Sequence, residues 1–163
     1  FDTISKLKDA HPDYLLSFNC PQKFSNQLLN LPKQKCINIH FGMLPEYRGL
    51  SPIFHAVFNK EKEVGVTFHI MDSHFDNGPI IIQKRLDISK ERSLFKIYKM
   101  ALNLTCESLP EFSNLLKNQK FETIPNEISK ASYFHYPSLK KIVAYKFRLN
   151  KWPLLDTLSR FWK

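Results

Sequence analysis

Glycine is scarce. It occurs 4 times in 163 residues, where average usage would give roughly 11. That excludes collagen-like and glycine-rich flexible chains. Cysteine occurs 3 times, at Cys20, Cys36 and Cys106. An odd, scattered set without metal-type spacing excludes a disulfide-stapled scaffold and suits a reducing, cytoplasmic compartment. No apolar run approaches the roughly 18 residues of a membrane span. There is no internal repeat and no low-complexity segment.

Acidic residues are also in short supply, with 15 against 24 basic ones and a net charge of +9. The deficit is local. Residues 1–116 hold 14 Lys/Arg and 12 Asp/Glu, whereas residues 117–163 hold 10 and 3. A basic end of this kind suits nucleic acid, anionic lipid or a phosphorylated substrate, or is simply a solvated lysine-rich surface. What is present is ordinary globular material: 43% apolar residues, 24% charged residues and 14 phenylalanines. The length suits one domain with a short appendage. The opening Phe1 in place of Met leads to the expectation of a processed or truncated form.

The pattern begins with an amphipathic helix end (Ile4, Leu7) stopped by Pro12. Residues 13–18 read as a short buried strand, and 24–30 as one or two helical turns. Residues 36–40 read as a second strand. The segment 41–51, with Gly42, Pro45 and Gly49, is expected to be loop. Ser51 is expected to cap a helix begun by Pro52 and running to about Asn59. Strands are expected over 63–72 and 80–88. A long helix should follow from Ser89, kinked or ended at Pro110, with Phe112, Leu115 and Leu116 available to continue it. Beyond Lys120 the pattern degrades to an extended strap and a basic, aromatic end. Alternating strands and helices predict an α/β fold with a partly parallel sheet.

All four glycines lie between residues 42 and 78, and four of the six histidines lie between 40 and 74. Glycine marks sharp turns and close backbone approaches. Both loops of this window follow predicted strands, where α/β sheets bind ligands. Asn38 and His40 share one face of a strand at its solvent-facing end, opposite Ile37, Ile39 and Phe41. An amide and an imidazole there suit acyl transfer: the amide donates to a developing oxyanion and the imidazole moves a proton. Asp76, in the loop after the next strand, can set the histidine charge.

The run Asn38-Ile39-His40-Phe41-Gly42-Met43-Leu44-Pro45-Glu46-Tyr47-Arg48-Gly49, followed by Pro52, resembles the signature of the formyltetrahydrofolate-dependent formyltransferases. Gly65 to Asp72 and Phe75 to Ile81 resemble that family's second block, in the same order and separation. The resemblance covers about residues 10–118. It implies a Rossmann-like, doubly wound, mostly parallel sheet, of which this chain holds the C-terminal part. About three family strands would precede residue 1. The implied division is a catalytic core over 1–120 and a basic extension over 121–163.

The resemblance also implies the chemistry, which is transfer of a formyl group from N10-formyltetrahydrofolate to an amine without a metal. Its catalytic trio falls on Asn38, His40 and Asp76. The folate is expected against Phe18, Asn19, Cys20, Pro21, Phe24, Met43, Leu44, Met71 and Phe75. Tyr47 and Arg48 are expected on the acceptor side, although Arg48 equally suits pinning a loop through carbonyls. His69 reads as a supporting or structural residue, His55 as packing, and His74 as solvent-facing. Gly42 stands where the family usually has Ser, which implies a hydroxyl lost near the folate.

The Tyr-Arg-Gly form with Pro52 resembles the tRNA and sugar-amine branches more than the purine-biosynthetic one, and the strap around residues 130–137 resembles that of sugar-type relatives. The expected acceptor is therefore a small amine, an amino sugar or nucleotide-linked amino sugar, with a phosphorylated acceptor suiting the basic end. Methionyl-tRNA is the alternative acceptor. Hydrolysis of the formyl donor, or a non-catalytic folate-binding remnant, are further alternatives. A homodimer is compatible with the apolar end, as is attachment of residues 151–163 to a membrane surface without spanning it.

Overall fold

Chain alternation and proline placement set most of the elements. The computed structural model describes residues 3–119 and 122–150. Pro12 and the left-handed His11 separate helix α1 (Thr3–Asp9) from strand β1 (Tyr14–Phe18). Helix α2 (Asn26–Leu29), capped by the Ser25 side chain, leads to β2 (Lys35–His40). The expected 41–51 loop contains a two-residue strand, β3 (Arg48–Gly49). Then come α3 (Pro52–Phe58), β4 (Glu63–Ile70), β5 (Ile80–Asp87) and α4 (Leu94–Asn118). The strap holds β6 (Tyr133–Phe134) and ends in α5 (Leu139–Asn150), a helix the pattern did not announce. The end considered for membrane attachment, 151–163, lies outside the described residues.

The fold is α/β, with a four-stranded sheet in the order β1-β2-β4-β5 and a two-stranded sheet joining β3 to β6. The pairs β1–β2 and β3–β6 are parallel. The pairs β2–β4 and β4–β5 are antiparallel. The parallel character expected of the sheet therefore belongs to its β1 side. The loop between β4 and β5 is too short for the crossover a parallel return requires, about a dozen residues or more.

Ile37, Ile39 and Phe41 pack under the sheet with Val64, Val66 and Phe68 of β4, Ile53 and Val57 of α3, and Ile97, Ala101 and Phe112 of α4. Every residue of β2 from Cys36 to His40 is buried, as an inner strand covered on both faces should be. β1 departs from its expected burial. Leu16 is 54% and Phe18 47% exposed, because β1 pairs only with β2 among the described strands.

Two local expectations also change. Ser51 sits in the left-handed region at φ 55 and makes no side-chain cap. Its carbonyl accepts from His55 N–H instead. Helix α4 continues through Pro110 to Asn118. Downstream, the Phe112 ring lies 4.8 Å from Phe68, and the Leu116 carbonyl accepts from the Tyr14 hydroxyl at 3.4 Å. These anchors hold the last turns against the loss at proline.

Candidate active site

Asn38 and His40 stand on one face of β2, two residues apart. The antiparallel register sets His69 opposite Asn38 and Thr67 opposite His40. The loop leaving β4 then folds back and delivers Asp76, whose backbone is left-handed at φ 47. One carboxylate serves the whole cluster. Asp76 Oδ1 accepts from Asn38 Nδ2 at 3.3 Å. It stands 3.5 Å from His40 Nδ1 and 3.4 Å from His69 Nε2. Asp76 Oδ2 accepts the Gly49 N–H at 2.8 Å. Asn38, His40, His69 and Asp76 are all buried. The solvent-facing strand end expected for Asn38 and His40 is therefore corrected, because the Asp76 loop covers it.

Gly49 earns its place twice. Its φ of 91 is unfavourable for other residues, and a Cβ there would collide with the Phe134 carbonyl of β6. Only a bare backbone brings this N–H to Asp76 while β6 lies alongside. Arg48 uses its fork on the same loop: Nε and Nη2 donate to the Phe75 carbonyl at 3.1 and 2.7 Å. It pins the loop that carries Asp76, so the carbonyl-pinning alternative is the one observed. From the strap, Asn126 Nδ2 donates to the carbonyls of Asp76 and Gly78 at 2.9 and 3.1 Å.

Burial alone would raise the Asp76 pKa. The charge of His40, hydrogen bonding from His69 and the Gly49 N–H outweigh it and hold the carboxyl at about 2. Burial pushes His40 below the ordinary histidine value, against the pull of Asp76 and the Tyr47 carbonyl. His40 Nε2 lies 2.7 Å from the Tyr47 carbonyl, which can only accept, so Nε2 carries the proton. In the neutral ring, Nδ1 then holds a lone pair beside the Asp76 carboxylate. By the same logic His69 Nδ1 donates to the Ile70 carbonyl at 2.9 Å. Its Nε2 accepts from Asn38 Nδ2 at 3.3 Å when neutral and donates to Asp76 when protonated. Asn38 Oδ1 is buried and has no hydrogen-bond partner among the described residues.

Two spaces flank the cluster. One, of about 250 Å³, is lined by Asn19, Cys20, Pro21, His40, Phe75, Asp76, Tyr98 and the strap residue Tyr136. Among the described residues its lining contains no lysine or arginine. The other, of about 20 Å³, is lined by Cys20, Phe24, Asn38, His69, Met71, Phe75 and Asp76. Most of the expected folate residues thus meet at the trio.

Met43, Leu44 and Tyr47 do not. They line a separate cavity of about 430 Å³ that contains neither His40 nor Asp76. The Tyr47 ring stacks on Phe134 at 5.2 Å and its hydroxyl donates to Glu61 at 2.8 Å. Only the Tyr47 carbonyl serves the trio. Phe18 sits outside both flanking spaces, edge-on to Phe41 at 5.3 Å. His55 is buried as expected, against Phe134 and the His135 carbonyl, and His74 is exposed.

His69 belongs to the cluster itself, closer than sequence reasoning placed it. The cross-strand register with Asn38 was the signal, and it becomes visible only once β2 and β4 are paired. Gly42 also changes meaning. A Cβ there would lie 2.6 Å from both His40 Nε2 and the Tyr47 carbonyl. The position faces the His40 ring and the Tyr47 carbonyl.

Fold and site together define an α/β domain that buries an amide, two imidazoles and one carboxylate at the carboxyl end of an inner strand. The family described as formyl transferase matches residues 2–112, and the chain belongs to that family. A methionyl-tRNA formyltransferase of Kosmotoga olearia is 34% identical over 127 residues, covering 78% of this chain and 41% of the relative. The chain spans about half the length of the curated relatives it matches. A 4-N formyltransferase structure from Francisella tularensis superposes with a TM-score of 0.69 at 25% identity, covering 89% of this chain and 65% of that one. A formyltransferase from Anoxybacillus kamchatkensis, solved with UDP-4,6-dideoxy-4-formamido-L-AltNAc and tetrahydrofolate, gives 0.69 at 25% identity over 83% and 69%.

Proposed function

We propose that this protein transfers a formyl group from N10-formyltetrahydrofolate to the amine of an amino sugar or nucleotide-linked amino sugar. The observation that carries the reading is the single carboxylate of Asp76 joining Asn38, His40 and His69 between two spaces. The smaller space suits the pteridine end of a folate. Its aromatic and apolar walls, Phe24, Met71 and Phe75, adjoin the unpartnered Asn38 Oδ1. At about 20 Å³ those walls must part to admit a ring system. The larger space, with Phe75, Tyr98 and Tyr136, suits a sugar or base.

The cosubstrate supplies an electrophilic formyl carbon, and the side chains handle protons and charge. Asn38 Oδ1 accepts from the incoming amine and orients it. His40 Nδ1, neutral through burial, takes the amine proton, and Asp76 stabilises the imidazolium so formed. The proton is returned to the leaving nitrogen. Asn38 Nδ2, which lies between His69 Nε2 and Asp76, is the donor for the oxygen on which charge develops. Arg48 and Gly49 hold the Asp76 loop in place. The 121–163 extension is proposed as the acceptor side of the molecule.

A methionyl-tRNA acceptor is the second reading, favoured by the names of the curated relatives. The deciding experiment incubates the chain with the formyl donor and, in parallel, nucleotide-linked amino sugars and charged initiator tRNA. Formylated sugar, lost in Asn38→Ala and His40→Ala, is the expected outcome. Formyl-methionyl-tRNA alone would select the second reading. Formate release without an acceptor would show hydrolysis. Transfer retained in either variant would refute the trio.

A further inference from the structure

We propose that Asn126, in the strap beyond the family-matched region, is a positioning residue that locks the turn carrying Asp76. Asp76 is set in a left-handed conformation at φ 47, which a non-glycine residue holds only when its surroundings over-determine it. Besides the Asn38, His40 and His69 side chains at its carboxylate, three restraints reach the turn from residues before it. The Gly49 N–H holds its carboxylate, Arg48 holds the Phe75 carbonyl, and Asn77 Nδ2 is tied back to Asp72 at 2.9 Å. None of them touches the carbonyls of Asp76 and Gly78.

Those two carbonyls point the other way, and one side chain takes both: Asn126 Nδ2, at 2.9 and 3.1 Å. The strap is itself fixed two residues earlier. Ile124 N–H donates to the Ile80 carbonyl at 2.8 Å, and Ile80 N–H donates to the Ile124 carbonyl at 2.9 Å. The Asp76 turn is thus clamped between β3 on one side and the strap on the other. The family matches residues 2–112, so this half of the clamp comes from outside the matched region.

The inference rests on the reading of Asp76 as part of the trio, but its test needs no turnover. Asp76 faces His40 from β2, His69 from β4 and the Gly49 N–H from β3. Arg48 reaches the loop from β3, and Asp72 lies along the loop itself. The experiment follows the Asp76 carboxyl by carbon NMR and the His40 ring by nitrogen NMR against pH. It uses the full chain, Asn126→Ala and Asn126→Asp, the last equal in size but lacking the amide donor. Loosening the turn moves the carboxylate from both histidines. The expected result is an Asp76 titration displaced upward towards the ordinary carboxylate value and a His40 titration displaced further down, in variants that remain folded. If transfer is established, kcat falls about 10- to 100-fold with KM for the donor little changed. Unchanged titrations in either folded variant would overturn the proposal. Failure of both variants to fold would also overturn it, since Asn126 would then support the whole fold and not one turn.

Discussion

His40 presents Nε2–H to a carbonyl and an Nδ1 lone pair to a carboxylate, and its burial decides how it titrates. Burial lowers its pKa, so the ring stays neutral below the ordinary value of 6.5. The acid limb of kcat/KM for formyl transfer is therefore expected below pH 6.5, and a limb above pH 7 in a pH–rate profile would contradict the assignment. Asp76 has the opposite linkage. Its folded pKa, at about 2, lies under the ordinary aspartate value of 3.8. The stabilisation is complete above the unfolded value and is lost as pH falls through the folded one. That difference corresponds to about 2 kcal/mol. Urea unfolding at pH 7 and pH 3 should show Asp76→Asn losing less stability on acidification than the parent chain. Gly42→Ala should displace the His40 ring or the Tyr47 carbonyl, lowering kcat about tenfold while leaving the circular dichroism spectrum unchanged. At this scale Asn38, His40 and Asp76 were legible because the motif spaces them in sequence. His69 was only half legible, because its role depends on strand register. That Met43, Leu44 and the Tyr47 ring line a cavity apart from His40 and Asp76 was not legible, because a loop's path decides where its side chains face.

The strands and helices were legible where hydrophobic period and punctuation agreed. β2, α3, β4 and β5 all fell close to their expected bounds. The two-residue strands β3 and β6 were not legible, since pairs that short leave no periodic trace. α5 was missed for a different reason. Its apolar residues are split between a side that packs, with Tyr145 donating to the Arg92 carbonyl at 2.8 Å, and an exposed stripe of Leu139, Val143 and Phe147. α4 shows tertiary contacts overriding a local breaker. A proline inside a helix costs about 3 kcal/mol or more, and the burial of Phe112 is worth a comparable amount. Pro110→Ala should therefore stabilise the protein by about 1–3 kcal/mol, read as a raised denaturation midpoint at constant m-value. An unchanged midpoint would mean that the helix already absorbs the proline without loss.

Across the molecule, charge and cavity point to different parts of an acceptor. Among the described residues the larger space at the trio carries no lysine or arginine in its lining, whereas α5 carries Lys140, Lys141 and Lys146. An anionic acceptor would then be gripped outside the reacting centre. Raising salt from about 50 to 200 mM should weaken binding of charged tRNA by orders of magnitude and of a nucleotide sugar far less. Equal salt dependence for the two would remove the surface charge from acceptor choice. The pairing of β3 with β6 reaches further still. Gly49 has to be bare because the Phe134 carbonyl lies against it, and the same glycine supplies the N–H that Asp76 requires. A genetic exchange that joined this core to a foreign tail at residue 120 would leave every motif residue in place, yet strip away the strand beside Gly49. Core and strap should therefore travel together through evolution as one heritable unit, with substitutions on one side answered by substitutions on the other.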